Sequence, residues 1–121
     1  MKLKKKPNIL IVGTGVLGAY LSKSLLYKKY NIIVTSRKLK KNYENYEKLK
    51  ISKKIIFIKL NLEKKKEIEK IINKYQPIQI YYLAGQSSIF KSIKLSRSTI
   101  ASNYTGAKNF LEIIYKNKLS T

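Results

Sequence analysis

Three glycines, Gly13, Gly15 and Gly18, follow the apolar run "NILIV" and begin the stretch "GTGVLGAYL". Their spacing has a chemical use. The first glycine permits a tight turn, the second lets backbone approach a pyrophosphate, and the third lets a helix pack closely on a strand. Thr14, Val16 and Leu17 fill the positions between them. A G-x-G-x-x-G string alone is weak evidence; it gains weight when a strand precedes it and a helix follows. The helix amino terminus then offers unpaired N–H groups and partial positive charge to phosphates. The competing reading is a glycine turn with no ligand. The spacing favours a dinucleotide.

The end of the next strand decides which dinucleotide. An acidic residue about 20 positions on would hold the ribose 2′-hydroxyl of NAD. Here Arg37 stands 19 positions after Gly18, Lys38 follows it, and the chain has no aspartate. A guanidinium can fork onto a 2′-phosphate. General lysine enrichment accounts for Lys38, but with 25 lysines against two arginines it does not account for Arg37. NADP is favoured over NAD.

The elements that must position these residues follow from periodicity. Residues 8–12, 31–36, 54–62 and 78–85 are apolar runs expected to form strands. Residues 16–29 form a helix with Leu17, Tyr20, Leu21, Ser24 and Leu25 on one stripe. Residues 39–50 are polar, a loop with a short helix. Residues 64–75 form a helix with Ile68, Ile71 and Ile72 inward, stopping before Pro77. A last helix spans 97–118, with Ala101, Tyr104, Phe110, Leu111 and Ile114 as core contacts. Strands alternating with helices predict an α/β fold, a Rossmann-type doubly wound parallel sheet ending after about four strands. The 121 residues make one domain, 1–121.

Composition sets the outer bounds. The sequence has no cysteine and no histidine, which excludes disulfides and the usual zinc constellations. No apolar run approaches the roughly 20 residues that span a bilayer. The apolar part of "MKLKKKPNILIVG" is about five residues, short of a signal peptide's roughly 7–15. A cytoplasmic chain without a membrane partner is expected. The net charge of +21 would suit a polyanion surface. However, Lys, Asn, Ile and Tyr share A/T-rich codons, and the arginine used for bidentate base contacts is scarce. Compositional drift is therefore the preferred account, with no specific nucleic-acid partner and only weak, salt-dependent sticking to polyanions.

The strings "GVLGAYL", "SRK", "LAGQSSI" and "NYTGAKNFLE" together resemble the extended short-chain dehydrogenase/reductase family. Within it, the chain is most similar to the GDP-mannose 4,6-dehydratase family. There the counterparts run "GQDGSYL", an arginine pair, "LAAQSHV" and a helix with "N..GT..LLE". The resemblance implies that Leu83, Ala84, Gly85, Gln86 and Ser87 line the ribose and nicotinamide side of the cofactor. It sets Asn61 and Leu62 in the place of an Asp-Leu pair beside the adenine, and Asn103 on the central helix. It further implies a nucleotide-sugar substrate, GDP-mannose, oxidised at C4 before water leaves across C5–C6 and hydride returns to C6. The parent enzyme would be a homo-oligomer. Four departures stand out: Val12 where the family's first glycine sits, Asn61 for aspartate, Ser88 for the loop histidine, and Ser98 for tyrosine.

The resemblance also implies a tyrosine base with a lysine four residues on, supported by Ser or Thr. Two Tyr-x-x-x-Lys strings exist, Tyr46–Lys50 and Tyr104–Lys108, and ten tyrosines among 25 lysines in 121 residues yield about two by chance. Both precede the family's catalytic position, and Ser120 and Thr121 come too early for the hydroxyl. No catalytic residue is assigned. The chain reads as the cofactor-binding, amino-terminal part of a longer enzyme. The alternative is a stand-alone NAD(P)-binding module that senses redox state through a partner, without catalysis.

Overall fold

In the computed structural model, residues 6–37, 44–84 and 101–117 are described. The apolar runs become strands β1 (Asn8–Val12), β2 (Asn31–Ser36), β3 (Ile55–Lys59) and β4 (Gln79–Tyr82). They lie in the order β3-β2-β1-β4, and every neighbouring pair is parallel. A parallel sheet of this kind is covered on both faces, so its inner strands read as unbroken apolar runs rather than alternating ones. Ile9, Leu10, Ile11 and Val12 of β1 are accordingly buried throughout. This is the Rossmann-like α/β fold.

Helices α1 (Val16–Tyr27) and α2 (Glu44–Lys48) cover one face of the sheet. Ile9, Ile11, Ile32 and Val34 meet Ala19, Leu25 and Tyr46 there. A 3₁₀ turn, Ser52–Lys54, leads from that layer into β3. On the other face lie α3 (Lys65–Tyr75) and α4 (Gly106–Lys116), the latter preceded by a π-helical turn, Ala101–Thr105. Leu10, Val12 and Ile33 pack there against Ile68, Ile72, Phe110 and Ile113.

The isoleucines at 68, 71 and 72 of α3 are buried, as their i, i+3, i+4 spacing requires. The helix ends at Gln76, left-handed at φ 44°, whose N–H donates to the Ile72 carbonyl at 2.8 Å. Pro77 follows, which disfavours continuing the helical turn.

Two helical faces differ from the periodicity reading. On α1 the buried residues are Gly18, Ala19, Ser22 and Leu25, whereas Leu17 and Tyr20 are exposed. The helix turns its smallest side chains to the sheet because these permit the closest approach. Ser22 satisfies its hydroxyl by donating to the Gly18 carbonyl at 2.7 Å. On α4, Gly106, Phe110 and Ile113 face inward, while Tyr104 and Leu111 are exposed and Ile114 is half-buried. Here the Asn109 amide donates to the Leu62 carbonyl at 2.9 Å, and Phe110 meets Tyr82 edge-on with centroids 5.6 Å apart. These two contacts set the rotation of the helix. The side chain of Ala101 lies outside the described residues. Strands β3 and β4 are shorter than their apolar runs, since the chain leaves the sheet at Leu60 and Leu83 to build the site.

Burial pushes the Tyr82 phenol up from 10.0 to about 12. Below pH 10 it is protonated in both the folded and unfolded chains. Between pH 10 and about 12 only the unfolded chain releases the proton, so stability falls as pH rises through that window. Denaturation midpoints are expected to drop across this range, and Tyr82→Phe to drop less. Equal slopes in the two proteins would refute this assignment.

Candidate functional site

The carboxyl ends of all four parallel strands converge on one edge, where β1 runs directly into the glycine turn. Three backbone bonds tie that edge together. Gly13 N–H donates to the Thr35 carbonyl at 3.1 Å, Leu83 N–H to Val12 at 2.8 Å, and Leu60 N–H to Ser36 at 2.9 Å.

The three glycines have different reasons to be glycine. Gly13 has φ +120°, which L side chains rarely adopt, and a Cβ there would lie 3.1 Å from Ala84 N and Leu83 C. Gly18 faces the interior, where a Cβ would meet the Gly13 carbonyl oxygen at 3.1 Å and Tyr46 Oη at 3.2 Å. Gly15 is unlike both. Its φ of −69° suits any residue, and a Cβ would meet nothing within 4 Å. Neither the fold nor the backbone requires glycine at 15; open space in front of the turn is what it preserves.

That space faces the amino terminus of α1. Gly15 caps the helix without a side-chain hydrogen bond, and no acidic residue stands in the first turn. The first intrahelical bond runs from Ala19 N–H to Gly15 O at 3.1 Å. The N–H groups before it have no partner within the helix and carry the positive end of its dipole. Thr14 is buried, while Val16 and Leu17 form an exposed apolar rim, 57% and 68% accessible. The arrangement can bind an anion beside an apolar group.

The other expected site residues fall around this turn. Arg37, exposed, directly follows β2, two residues beyond the Thr35 carbonyl that holds Gly13. Leu83 and Ala84 are half-buried and press against Gly13. Asn61 is exposed, but its Oδ1 accepts the Glu63 N–H at 3.0 Å, and its own N–H donates to Glu67 Oε2 at 3.1 Å. The amide thus shapes the entry to α3. Leu62 puts its side chain into the core beside Val12 and Phe110, and its carbonyl accepts from the Asn109 amide. Lys38, Gly85, Gln86 and Ser87 lie outside the described residues, as do Ser88, Ser98, Ser120 and Thr121.

The two Tyr-x-x-x-Lys strings lie in different settings. Tyr46 is fully buried beneath α1, and its hydroxyl has no hydrogen-bond partner among the described residues. Burial pushes its phenol up, and Ser22 beside it pulls the other way. Lys50 is exposed at the left-handed end of α2, with φ 59°. Tyr104 is 62% exposed, and Lys108 Nζ lies 3.8 Å from Glu112 Oε1. Periodicity gave no warning that Tyr46 supports the glycine turn from below. Its one sequence signal is the missing Cβ at Gly18, which leaves the notch that the phenol occupies.

The sequence profile of the family described as GDP-mannose 4,6 dehydratase matches residues 10–121. The chain belongs to this family of NAD-dependent epimerases and dehydratases. No curated protein matches the sequence.

Among solved structures, UDP-glucose 4-epimerase from Thermotoga maritima, determined with UDP-glucose, superposes with a TM-score of 0.77 at 24% identity. The match covers 90% of this chain and 34% of that one. The Thermus thermophilus UDP-glucose 4-epimerase, in complex with NAD, gives 0.77 at 20% identity over 93% and 35%. L-threonine dehydrogenase from Clostridium difficile gives 0.72 at 28% identity over 93% and 34%. The two epimerase likenesses show the fold. The chain spans about a third of the length of the solved structures it matches. No described helix is long and apolar enough to cross a membrane.

The three glycine environments predict separable effects in this dehydratase-family chain. Gly13→Ala is expected to cost about 1–3 kcal/mol, because the backbone is strained and neighbouring backbone is in the way. Gly15→Ala is expected to change stability by less than about 1 kcal/mol, since the conformation is compatible and the space open while alanine caps a helix less well than glycine. Thermal unfolding followed by circular dichroism checks both. Equal losses would contradict the assignment.

Proposed function

We propose that this chain is the NADP-binding portion of a nucleotide-sugar dehydratase of the GDP-mannose 4,6-dehydratase type, folded as one domain over residues 1–121. The observation that carries the reading is the uncapped α1 terminus behind an open Gly15, with Arg37 at the end of the neighbouring strand. Family membership supports a nucleotide-sugar substrate. A nicotinamide dinucleotide is supported by the NAD held in the similar Thermus structure. The preference for NADP rests on this chain's own residues, Arg37 and Lys38 after β2 and no aspartate anywhere.

When bound, NADP supplies hydride acceptance from C4 of GDP-mannose and hydride return to C6. The protein's part is to hold and orient. The pyrophosphate would sit on the N–H groups of Gly15, Val16, Leu17 and Gly18, with Thr14 beneath. Arg37 and Lys38 would take the 2′-phosphate. Asn61 and the Leu62 backbone would flank the adenine, and Leu83, Ala84, Gly85, Gln86 and Ser87 the ribose and nicotinamide side. The parent enzyme would be a homo-oligomer.

Titrating the folded chain with both cofactors tests the reading. NADP(H) is expected to bind tighter than NAD(H), and Arg37→Ala to lose roughly tenfold or more for NADP, since a charge-assisted contact contributes about 1.5–3 kcal/mol. In the same titration Gly15→Val is expected to abolish binding of either cofactor without loss of fold. Equal affinity for the two cofactors, or an unaffected Arg37→Ala, would overturn the NADP reading.

Neither Tyr-x-x-x-Lys string stands at the place in the sequence where the family resemblance sets the catalytic pair. The 121-residue chain is therefore expected to form no 4-keto product from GDP-mannose and NADP. Turnover that survived removal of contaminating enzymes would refute this and single out Tyr104 and Lys108.

A further inference from the structure

A second feature lies at the opposite end of the sheet. Where the strands begin, the carboxyl end of α1 and the connection from α2 to β3 enclose a groove of about 900 Å³. Pockets that take small molecules run about 300–1,000 Å³, so it is large enough for a ligand the size of one or two nucleotides. We propose that this groove binds single-stranded nucleic acid without sequence preference.

Its lining carries the case. Lys6, Lys23, Lys28, Lys50 and Lys54 come from three separate segments of the chain, and no carboxylate lines the groove. Tyr20, Tyr27 and Tyr30 stand among them. At the chain's own frequencies, 13 lining residues would include about three lysines and one tyrosine; five and three are present. Lysines sit only on the exposed surface, where they make up about two in five of the described residues, so the lysine share is ordinary and the three tyrosines set this groove apart. None of the five lysines pairs with a carboxylate among the described residues, whereas Lys48, Lys65 and Lys108 do. The helix dipole accounts for a cation at Lys28, beside the carboxyl end of α1. It does not account for Lys6, Lys50 and Lys54, brought in from elsewhere.

The tyrosines separate a nucleic acid from a plain polyanion. Tyr20 and Tyr27 lie seven residues apart on one face of α1, about 10 Å along its axis, with Lys23 and Ser24 between them. Tyr27 is 90% exposed and Tyr20 59%. Exposed aromatic faces interleaved with ammonium groups are the composition that holds single strands: bases stack while the backbone is tracked by charge. Without arginine in the groove, bidentate base readout is absent, hence no sequence preference. The groove's lysines gather where the strands begin and the glycine turn stands where β1 ends, so the proposal does not rest on the cofactor reading.

The test is fluorescence anisotropy of labelled oligothymidylate and oligouridylate, about 20 nucleotides long, over a salt series. The groove variant carries Lys23→Gln, Lys28→Gln, Lys50→Gln and Lys54→Gln. A control removes equal charge from α3 and its cap with Lys64→Gln, Lys66→Gln, Lys70→Gln and Lys74→Gln. A third variant carries Tyr20→Ala and Tyr27→Ala. All the altered side chains are exposed, and circular dichroism reports whether each variant folds.

The groove variant is expected to lose tenfold or more, with a salt slope shallower by about 3, and the control less than threefold. The tyrosine variant is expected to lose about tenfold with its salt slope kept. Duplex DNA and inorganic polyphosphate should compete at least about tenfold less well than single strands. Equal losses in the two lysine variants, an unaffected tyrosine variant, or polyphosphate competing as well as a single strand would each overturn the proposal. If the groove variant fails to fold, Tyr27→Ala alone decides: unchanged affinity overturns the proposal, and a severalfold loss sustains it.

Discussion

The working edge of this molecule depends on one backbone-to-backbone approach. Gly13 sits against the end of β4 so tightly that no Cβ fits, and its φ of +120° is one that L side chains rarely adopt. That approach lets Leu83 bond to Val12 and Gly13 to Thr35, locking β1 to both of its neighbours at the point where all three strands end. α1 can then begin after only three intervening residues, with its amino terminus uncovered. A bulkier turn would move the helix terminus away from the strand ends and separate it from Arg37.

The close seating of α1 has its own conditions. Gly18, Ala19 and Ser22 keep the helix near the sheet, and Tyr46 fills the notch that Gly18 leaves. The phenol meets Phe57 edge-on, with ring centroids 5.1 Å apart at 88°. On the opposite face, the Asn109–Leu62 bond and the Lys65–Glu112 ion pair join α3, its preceding loop and α4 into one layer. The strand ends are thus held from both sides by helices whose contacts differ in kind: small residues and a tyrosine on one face, isoleucines and an amide clamp on the other.

Much of this was legible in the sequence, and the reason is chemical. Strands buried on both faces must be apolar throughout, so "NILIV" and "NIIVTS" announced β1 and β2 to the residue. Glycine spacing announced the turn because only glycine satisfies both its dihedral and its clearance. Helical faces were less legible. A large apolar side chain at helical spacing suggests burial, yet α1 buries small residues and exposes Leu17 and Tyr20. Clearance between backbones is a three-dimensional quantity that periodicity does not carry. Tyr46 and Asn109 were illegible for a related reason, since their partners lie 28 and 47 residues away in sequence. Asn61 was read for its likeness to an aspartate, and its local hydrogen bonds give it a second task at the start of α3.

The strand order has a consequence for how the chain comes into being. β1 is an inner strand, yet it is made first; Ile9 pairs with Ile32 on one side and with Gln79 on the other. During synthesis its second edge must wait for about 70 further residues, which at about 5–20 residues per second is roughly 4–14 seconds. For that interval the most apolar segment of the protein has half its backbone groups unmatched. A nascent chain in that state exposes an unpaired apolar strand edge, which is a template for pairing with other chains.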